Sequence, residues 1–472
     1  MTGASPVPAS LSAKFTLSLL WLLLAVSAAS RAELPRLGDP SLQGISSVEE
    51  KKLGQAFYQT LRASLKFVDD IALNHYLTAL GEKLLTHSDA AAGDFKFFII
   101  ESDAINAFAG PDAYIGINSG LILTARNESE LASVMAHEIA HVSQRHIARM
   151  IDESDNGAAI TFGALLAAIL VGSQNPQAAQ AILATGIASS YQSSINFTRQ
   201  NEYEADRVGI GILTRAGIDP KGMVGFFKLL LERSHGLEIE YLRTHPLSIN
   251  RVSEAEYRVA SIRSNTRDDS EDFRFAQARL QVLTTSNPAD IAGNASLQKN
   301  SNDAVDRYRQ GLALLHLHRV DEAIVALEKA RQQSRHPWIA LALAEAYEAS
   351  GELTRARSTL QTLAELYPGY LPVTLAYARL LMDHKLDINR AITLLKHQLQ
   401  TDDKARVYKM LARAYHRNGQ TAAALEATGN QYLRQGYHEL ALQQYENALN
   451  QTDISTTTRQ RLQTRIKQLK PE

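Results

Sequence analysis

The feature that most restricts how this chain can fold is a repeat in its C-terminal third. Ala323, Ala356, Ala391 and Ala424 stand 33, 35 and 33 residues apart. Each lies one turn into a predicted helix, after a short loop that contains Asp321, Gly351, Asn389 or Gly419. A small residue recurring at that interval is what two helices need where their backbones approach, once per pair. Each pair buries its apolar face only by stacking on the next one, so residues 303–472 predict an α-solenoid rather than a single globular core.

The period near 34 is that of a tetratricopeptide repeat. Ala344, Tyr347, Ala356, Leu360 and Pro368 occupy the small, aromatic, small, large and Pro positions of one unit, and Leu411, Ala412, Tyr415 and Ala424 repeat the scheme. Ala441 follows Ala424 by only 17 residues, which predicts one helix shared between two units. This region holds 23 Lys and Arg against 18 Asp and Glu, whereas the whole chain of 472 residues has a formal net charge of −1. A nucleic-acid binder would carry a strongly basic face, so no nucleic-acid partner is expected. There is no Cys, which excludes disulfides, thiol nucleophiles, Cys-ligated metals and a lipoprotein anchor.

Upstream the texture changes. Lys14, an apolar run over 15–26 and the small residues before Glu33 describe a secretory leader over 1–32. The run is short for a spanning helix. Residues 95–100 are β-rich, and 113–118 alternate with period two before Ser119-Gly120. Leu131, Val134, Met135, Ile139 and Val142 recur at helical spacing, predicting a helix over 127–150 with Asn127 or Ser129 as N-cap. The Ala-rich stretch 157–172 reads as a core helix or as a membrane-facing or mobile lid. Residues 265–302 read as a polar linker holding one helix around 273–282, which leaves 33–264 as a separate domain.

That domain contains His137-Glu138-Ile139-Ala140-His141. Residues four apart share a helix face, so both imidazoles can reach one metal ion, while Glu138 projects beside it and can take a proton from an activated water. Zinc needs a third protein ligand. His146 is one candidate, but the metzincin spacing would need Gly at 144 and His at 147, where this chain has Gln144 and Ile147. Glu202 is the better one. Glu202 and Asp206 are four apart, so one carboxylate can bind metal while the other orients a ligating imidazole. Glu204 lies off that face and reads as a surface charge. His245, before Pro246, could stabilise an oxyanion, occupy the open metal position and hold the site idle, or be an ordinary surface histidine.

With these motifs the chain resembles the BepA group of periplasmic zinc metalloproteases, within the wider peptidase family of HtpX and the CAAX prenyl proteases. The carrying residues are His137-Glu138-x-x-His141, Glu202-x-x-x-Asp206, and His245-Pro246 with Arg251. Asn106-Ala107-Phe108-Ala109 and Gly120-Leu121-Ile122 resemble the strand region before the zinc helix. Pro111-Asp112-Ala113 stands where relatives often have Pro-Gly-Gly, so that turn is expected to differ. The resemblance extends over nearly all of 33–472. It implies a mainly α protein, a zincin-like α+β metalloprotease domain with a small sheet followed by the tetratricopeptide α-solenoid.

The resemblance further implies one zinc ion per chain on His137, His141 and Glu202, with Glu138 as catalytic base. Asp206 and His245 complete the catalytic set, with His245 or Arg251 helping to stabilise the oxyanion. Substrate is expected as an added strand along residues 114–118, gated by His245 or by 157–172. The implied setting is the periplasm, with the leader cleaved. The partners are the outer-membrane β-barrel assembly machinery, its client outer-membrane proteins and misfolded chains, met by a monomer working close to a membrane. The competing reading is a chaperone or assembly scaffold acting through the repeats, with proteolysis secondary.

Overall fold

In the computed structural model the described residues are 47–90, 95–147, 149, 191–234, 239–262, 270–297, 303–401 and 404–470. Residues 1–32, read as a secretory leader, and the apolar stretch 157–172 lie outside them. From Ser47 onward the described chain forms one unit of helices around a small sheet. Among the described residues, no helix is long and apolar enough to cross a membrane.

Three strands form the sheet, β1 (Lys96–Ile100), β2 (Ala107–Ala109) and β3 (Tyr114–Asn118), in the order β1-β3-β2. β1 runs parallel to β3 with Phe98 opposite Gly116, and β2 runs antiparallel with Phe108 opposite the same glycine. The run that alternates over 113–118 forms β3, and all five of its residues are buried. Both faces of the sheet are covered. Phe97, Ile99, Ile115 and Ile117 join the main core, while Phe98, Ile100, Phe108 and Tyr114 pack on Phe57 and Leu61 of helix α1 (Ser47–Ser64). Gly116 is required there: a Cβ would sit 2.5 Å from the Phe108 ring and 2.9 Å from that of Phe98.

Between β2 and β3 the chain makes a 3₁₀ turn over Pro111–Ala113, in which Asp112 (φ 55°) and Ala113 (φ 57°) are both left-handed. That conformation suits glycine, which accounts for Pro-Gly-Gly in the resembling family. Here Lys96 Nζ holds Asp112 Oδ2 at 3.1 Å.

Helices α2 (Ile71–Leu85), α3 (Ser119–Thr124) and α4 (Glu128–Ser143) follow on the other face. Asn127 caps α4, accepting from Glu130 N–H at 2.9 Å. The helix predicted over 127–150 ends at Ser143, because Arg145 takes φ 53° and reverses the chain. Against α4 pack α5 (Tyr191–Arg215) and α6 (Lys221–Arg233), followed by the short α7 (Tyr241–Thr244) and by α8 (Ile249–Ala260). At the crossing of α4 and α6, a Cβ on Gly222 would meet Ser129 O at 2.2 Å.

The segment read as a linker holds two helices, α9 (Glu271–Thr284) and α10 (Pro288–Leu297). Residues 263–269 and 298–302 of that segment lie outside the described residues. Phe273, Phe275 and Leu280 of α9 are buried. Gln277 Nε2 donates to Ile122 O and Ala125 O, and Arg279 Nη2 donates to the α2 cap Asp70 at 2.7 Å. Sequence composition hid this packing because the polar residues of the stretch flank the apolar positions of α9.

Among the described residues, ten helices run from α11 (Ala304–His316) to α20 (Thr456–Leu469). Ala323, Ala356, Ala391 and Ala441 are wholly buried and Ala424 nearly so. Gly311 faces Leu327, and Gly429 faces Tyr445 at the same offset of 16, with a Cβ at either glycine 2.4 Å from its partner. Gly429 lies on α18 (Thr421–Arg434) and Tyr445 on α19 (His438–Leu449). The helix that closes one repeat thus opens the next, which is why the spacing there is halved.

Candidate metal centre

Four elements converge on one buried cluster. α4 presents His137, Glu138 and His141, and α5 crosses it with Glu202 and Asp206 one turn apart. The end of α7 delivers His245, whose N–H donates to Tyr241 O at 2.9 Å and whose ring stacks on Tyr241 with centroids 4.6 Å apart. Arg251 enters from α8, after Ser248 caps that helix.

The side chains of His137, His141, Glu202 and His245 each offer one donor atom, and these atoms lie within 4.8 Å of one another. His137 Nε2 is 3.0 Å from His141 Nε2 and 3.3 Å from His245 Nδ1. Glu202 Oε1 is 3.3 Å from His141 Nε2 and 3.1 Å from His245 Nδ1, while Oε2 is 3.4 Å from His137 Nε2. Ligands about 2.0–2.1 Å from a tetrahedral ion stand about 3.3 Å apart, so these separations are the edges of such a coordination shell.

Charge makes the same demand. Glu138, Glu202 and Asp206 are all at most 5% exposed and have one buried cation, Arg251, among them. Metal ligation requires neutral imidazoles, and in that state two negative charges among these groups are left for a divalent cation to balance. Burial raises the pKa of Glu138. Burial works the same way on Glu202, but His245, His137 and His141 outweigh it and hold that carboxyl well below the usual range. Burial also opposes a charged His137, yet hydrogen bonds to Asp206 and Glu202 carry its pKa up to about 10. His141, lowered by burial to about 3, stays neutral. The donor set and the charge both fit a metal ion.

The surrounding contacts fix the donors. Asp206 Oδ1 lies 3.0 Å from His137 Nδ1, leaving Nε2 of that ring to face the cluster. Arg251 Nε and Nη2 donate to the two oxygens of Asp206 at 2.7 and 2.8 Å. Its Nη1 donates to Pro246 O and lies 2.8 Å from Glu202 Oε2. With all three nitrogens engaged, Arg251 is a clamp on the carboxylates and is not free to serve an oxyanion, contrary to the expectation from sequence. Glu138 lies beside the shell, 3.4 Å from His245 Nε2.

His146 is not among the donors. The reversal at Arg145 folds it behind His141, with the two Nδ1 atoms 2.8 Å apart. Its Nε2 lies 3.2 Å from Glu204 Oε2, which also accepts from Arg149 Nη2 at 3.0 Å. Glu204, read from sequence as a surface charge, therefore faces the centre from behind. No signal marked this contact, since the reversal uses Arg145 where a turn of that kind would ordinarily display glycine.

The sheet presents its β2 edge to the same place. Asn118 N–H donates to Asn106 O and Gly110 N–H to Tyr114 O, so residues 106, 108 and 110 turn their backbone toward β3. Ala107 and Ala109 turn theirs outward. Asn106 Nδ2 donates to Glu240 Oε1 at 2.8 Å, whereas its buried Oδ1 has no partner among the described residues. Both residues line a cleft of about 420 Å³ with Phe108, Asn118 and Lys66.

The profile of peptidase family M48 matches residues 72–259, and that of a tetratricopeptide repeat matches residues 314–380. The chain is similar to the beta-barrel assembly-enhancing protease of Escherichia coli (strain K12), with 33% identity over 437 residues, covering 90% of this chain and 82% of that protein. It is 31% identical over 447 residues to a putative beta-barrel assembly-enhancing protease of Vibrio cholerae, covering 93% of this chain and 92% of that one. A shorter match, 30% identity over 153 residues, joins 31% of this chain to 41% of the mitochondrial metalloendopeptidase OMA1 of Saccharomyces cerevisiae.

Proposed function

The chain belongs to the family of beta-barrel assembly-enhancing proteases within peptidase family M48, and we propose that it is a periplasmic zinc endopeptidase of outer-membrane protein quality control. It is a metalloprotease. On this reading it degrades misassembled or stalled outer-membrane proteins and assists the assembly of others. Residues 1–32 are a cleaved leader, 33–264 the peptidase portion, 265–302 the link and 303–472 the array that recruits the outer-membrane assembly machinery and its clients.

The observation that carries the proposal is the set of donor separations between His137, His141, Glu202 and His245, with the buried Glu138 carboxylate beside them. His137, His141 and Glu202 are the metal ligands. Zinc held there would polarise a peptide carbonyl and bring a water to a pKa near 7. Glu138 takes the proton from the attacking water and passes it to the leaving amine, a role that suits a carboxylate whose pKa burial has raised. Asp206 keeps the His137 ring in register, and Arg251 holds Asp206 and Glu202 in place.

His245 occupies the fourth corner, where a substrate carbonyl would have to enter. The resting arrangement is therefore closed, and displacement of His245 opens it. Substrate does not add along β3, whose two sides are taken by β1 and β2. It adds beside β2 at Ala109, the partly exposed residue whose backbone points away from β3, since Ala107 is wholly buried, and there the buried Asn106 Oδ1 is an acceptor for a substrate N–H. Backbone pairing of this kind binds extended chains with little side-chain preference, which suits misfolded clients.

Glu138→Gln tests this against the scaffold reading. The variant should bind metal and fold, yet lose hydrolysis and fail to support outer-membrane assembly under stress. Full support of assembly by that variant would favour the scaffold.

A further inference from the structure

Behind His141 lies a chain of polar groups outside the donor shell. His146 Nδ1 is 2.8 Å from His141 Nδ1, His146 Nε2 is 3.2 Å from Glu204 Oε2, and Arg149 Nη2 holds that carboxylate at 3.0 Å. His146 is 4% exposed, so water does not substitute for these contacts. We infer that His146 and Glu204 are positioning residues that set the tautomer of His141 and so make its Nε2 a metal ligand, an inference that rests on His141 being a ligand.

The proton count leaves one productive arrangement. A neutral imidazole carries one proton, and two ring nitrogens 2.8 Å apart must share one N–H between them. If the proton lies on His141 Nδ1, it donates to an unprotonated His146 Nδ1. His146 then carries its own proton on Nε2 and donates it to the Glu204 carboxylate. His141 Nε2 is left with a free lone pair facing His137 and Glu202. With the opposite polarity His146 Nδ1–H donates to His141, and the His141 proton moves to Nε2, where it blocks ligation. His146 Nε2 would then carry a lone pair against the Glu204 carboxylate, a repulsive contact. Glu204 therefore selects the first arrangement through two rings. The positive left-handed turn at Arg145 is what brings His146 within reach.

His137 and His141 are thus oriented by different means. The first faces a carboxylate directly, Asp206, which is itself clamped by Arg251. The second faces a carboxylate through an intervening imidazole. Outer partners of a metal-bound imidazole are worth about 10- to 100-fold in metal affinity.

The experiment uses the full-length protein with His146→Leu, His146→Asn, Glu204→Gln and, as control, His141→Ala. Zinc affinity is read by competition with a chromophoric chelator, and ring protonation by ¹⁵N shifts of labelled histidine in the zinc-loaded parent. His146→Leu should weaken zinc about 10- to 100-fold. His146→Asn, whose amide oxygen can replace the Nδ1 acceptor, should recover most of that loss. The parent should show N–H at His141 Nδ1 and at His146 Nε2. Affinity of His146→Leu within twofold of the parent, or an N–H at His146 Nδ1, overturns the inference. Should His146→Leu fail to fold, Glu204→Gln and the parent ¹⁵N shifts decide alone. If His141→Ala leaves affinity unchanged, the ligand assignment itself has failed; if it abolishes binding while His146→Leu does not, only the relay has.

Discussion

His245 Nδ1 lies 3.1 Å from Glu202 Oε1, so a histidine from the 241–245 turn stands inside the shell built by α4 and α5. It arrives 43 residues after Glu202 and is held there by its stack on Tyr241. A short turn is easier to displace than a helix. The proposed closure of the site by His245, and its opening by displacement of that turn, rest on this placement.

His245→Ala is expected to raise casein hydrolysis several-fold at unchanged metal content, because the fourth corner becomes accessible to substrate. Initial rates with the parent and the variant at matched zinc occupancy check this. A fall in rate would instead assign His245 to oxyanion stabilisation.

Asp206→Asn removes the partner of His137 Nδ1 and half of the clamp on Arg251. Arg251 keeps Glu202 and Pro246 and the amide keeps one acceptor, so the loss is that of a charge-assisted hydrogen bond, about 1.5–3 kcal/mol. Urea unfolding of the metal-free variant should report a loss of that order, and chelator competition a metal affinity lower by about 10- to 100-fold.

Asn106→Ala removes the buried acceptor offered at the β2 edge. One hydrogen bond of about 0.5–1.5 kcal/mol corresponds to a roughly two- to tenfold lower kcat/KM on a peptide substrate, with zinc content unchanged. No change would remove Asn106 from substrate binding.

Ala113→Gly should stabilise the fold. Ala113 holds φ 57°, a conformation that costs a non-glycine residue about 1–2 kcal/mol, offset in part by the greater unfolded-state freedom of glycine. A net gain of about 0.5–1 kcal/mol is expected as a higher urea midpoint at constant slope. Asp112→Gly is the less clean substitution, since it also removes the pair with Lys96.

Much of this arrangement was legible from spacing alone. Residues four apart on a helix place His137 with His141 and Glu202 with Asp206, and helical geometry preserves that relation whatever the rest of the chain does. The alanine period survived for the same reason, because each Ala marks a backbone approach that admits little else. What spacing did not disclose depends on tertiary position. β3 is buried on both sides because α1 covers one face of the sheet, which the period of 113–118 does not disclose. The helix that carries His137 and His141 stops at Ser143 because Arg145 adopts a left-handed conformation without the usual glycine. That reversal also hid His146 and Glu204, whose 58-residue separation carries no periodic signal. Arg251, noted only as a candidate for the oxyanion, turned out to be saturated by Asp206, Glu202 and Pro246.

Metal analysis coupled to a casein assay decides whether the four-element cluster is a catalytic metal centre. Purified protein should contain one zinc per chain, lose hydrolysis when a chelator removes it, and regain activity when zinc is restored. Glu138→Gln should hold the same zinc and hydrolyse nothing. Unchanged hydrolysis by metal-free protein, or parental hydrolysis by Glu138→Gln at full zinc occupancy, would contradict the account.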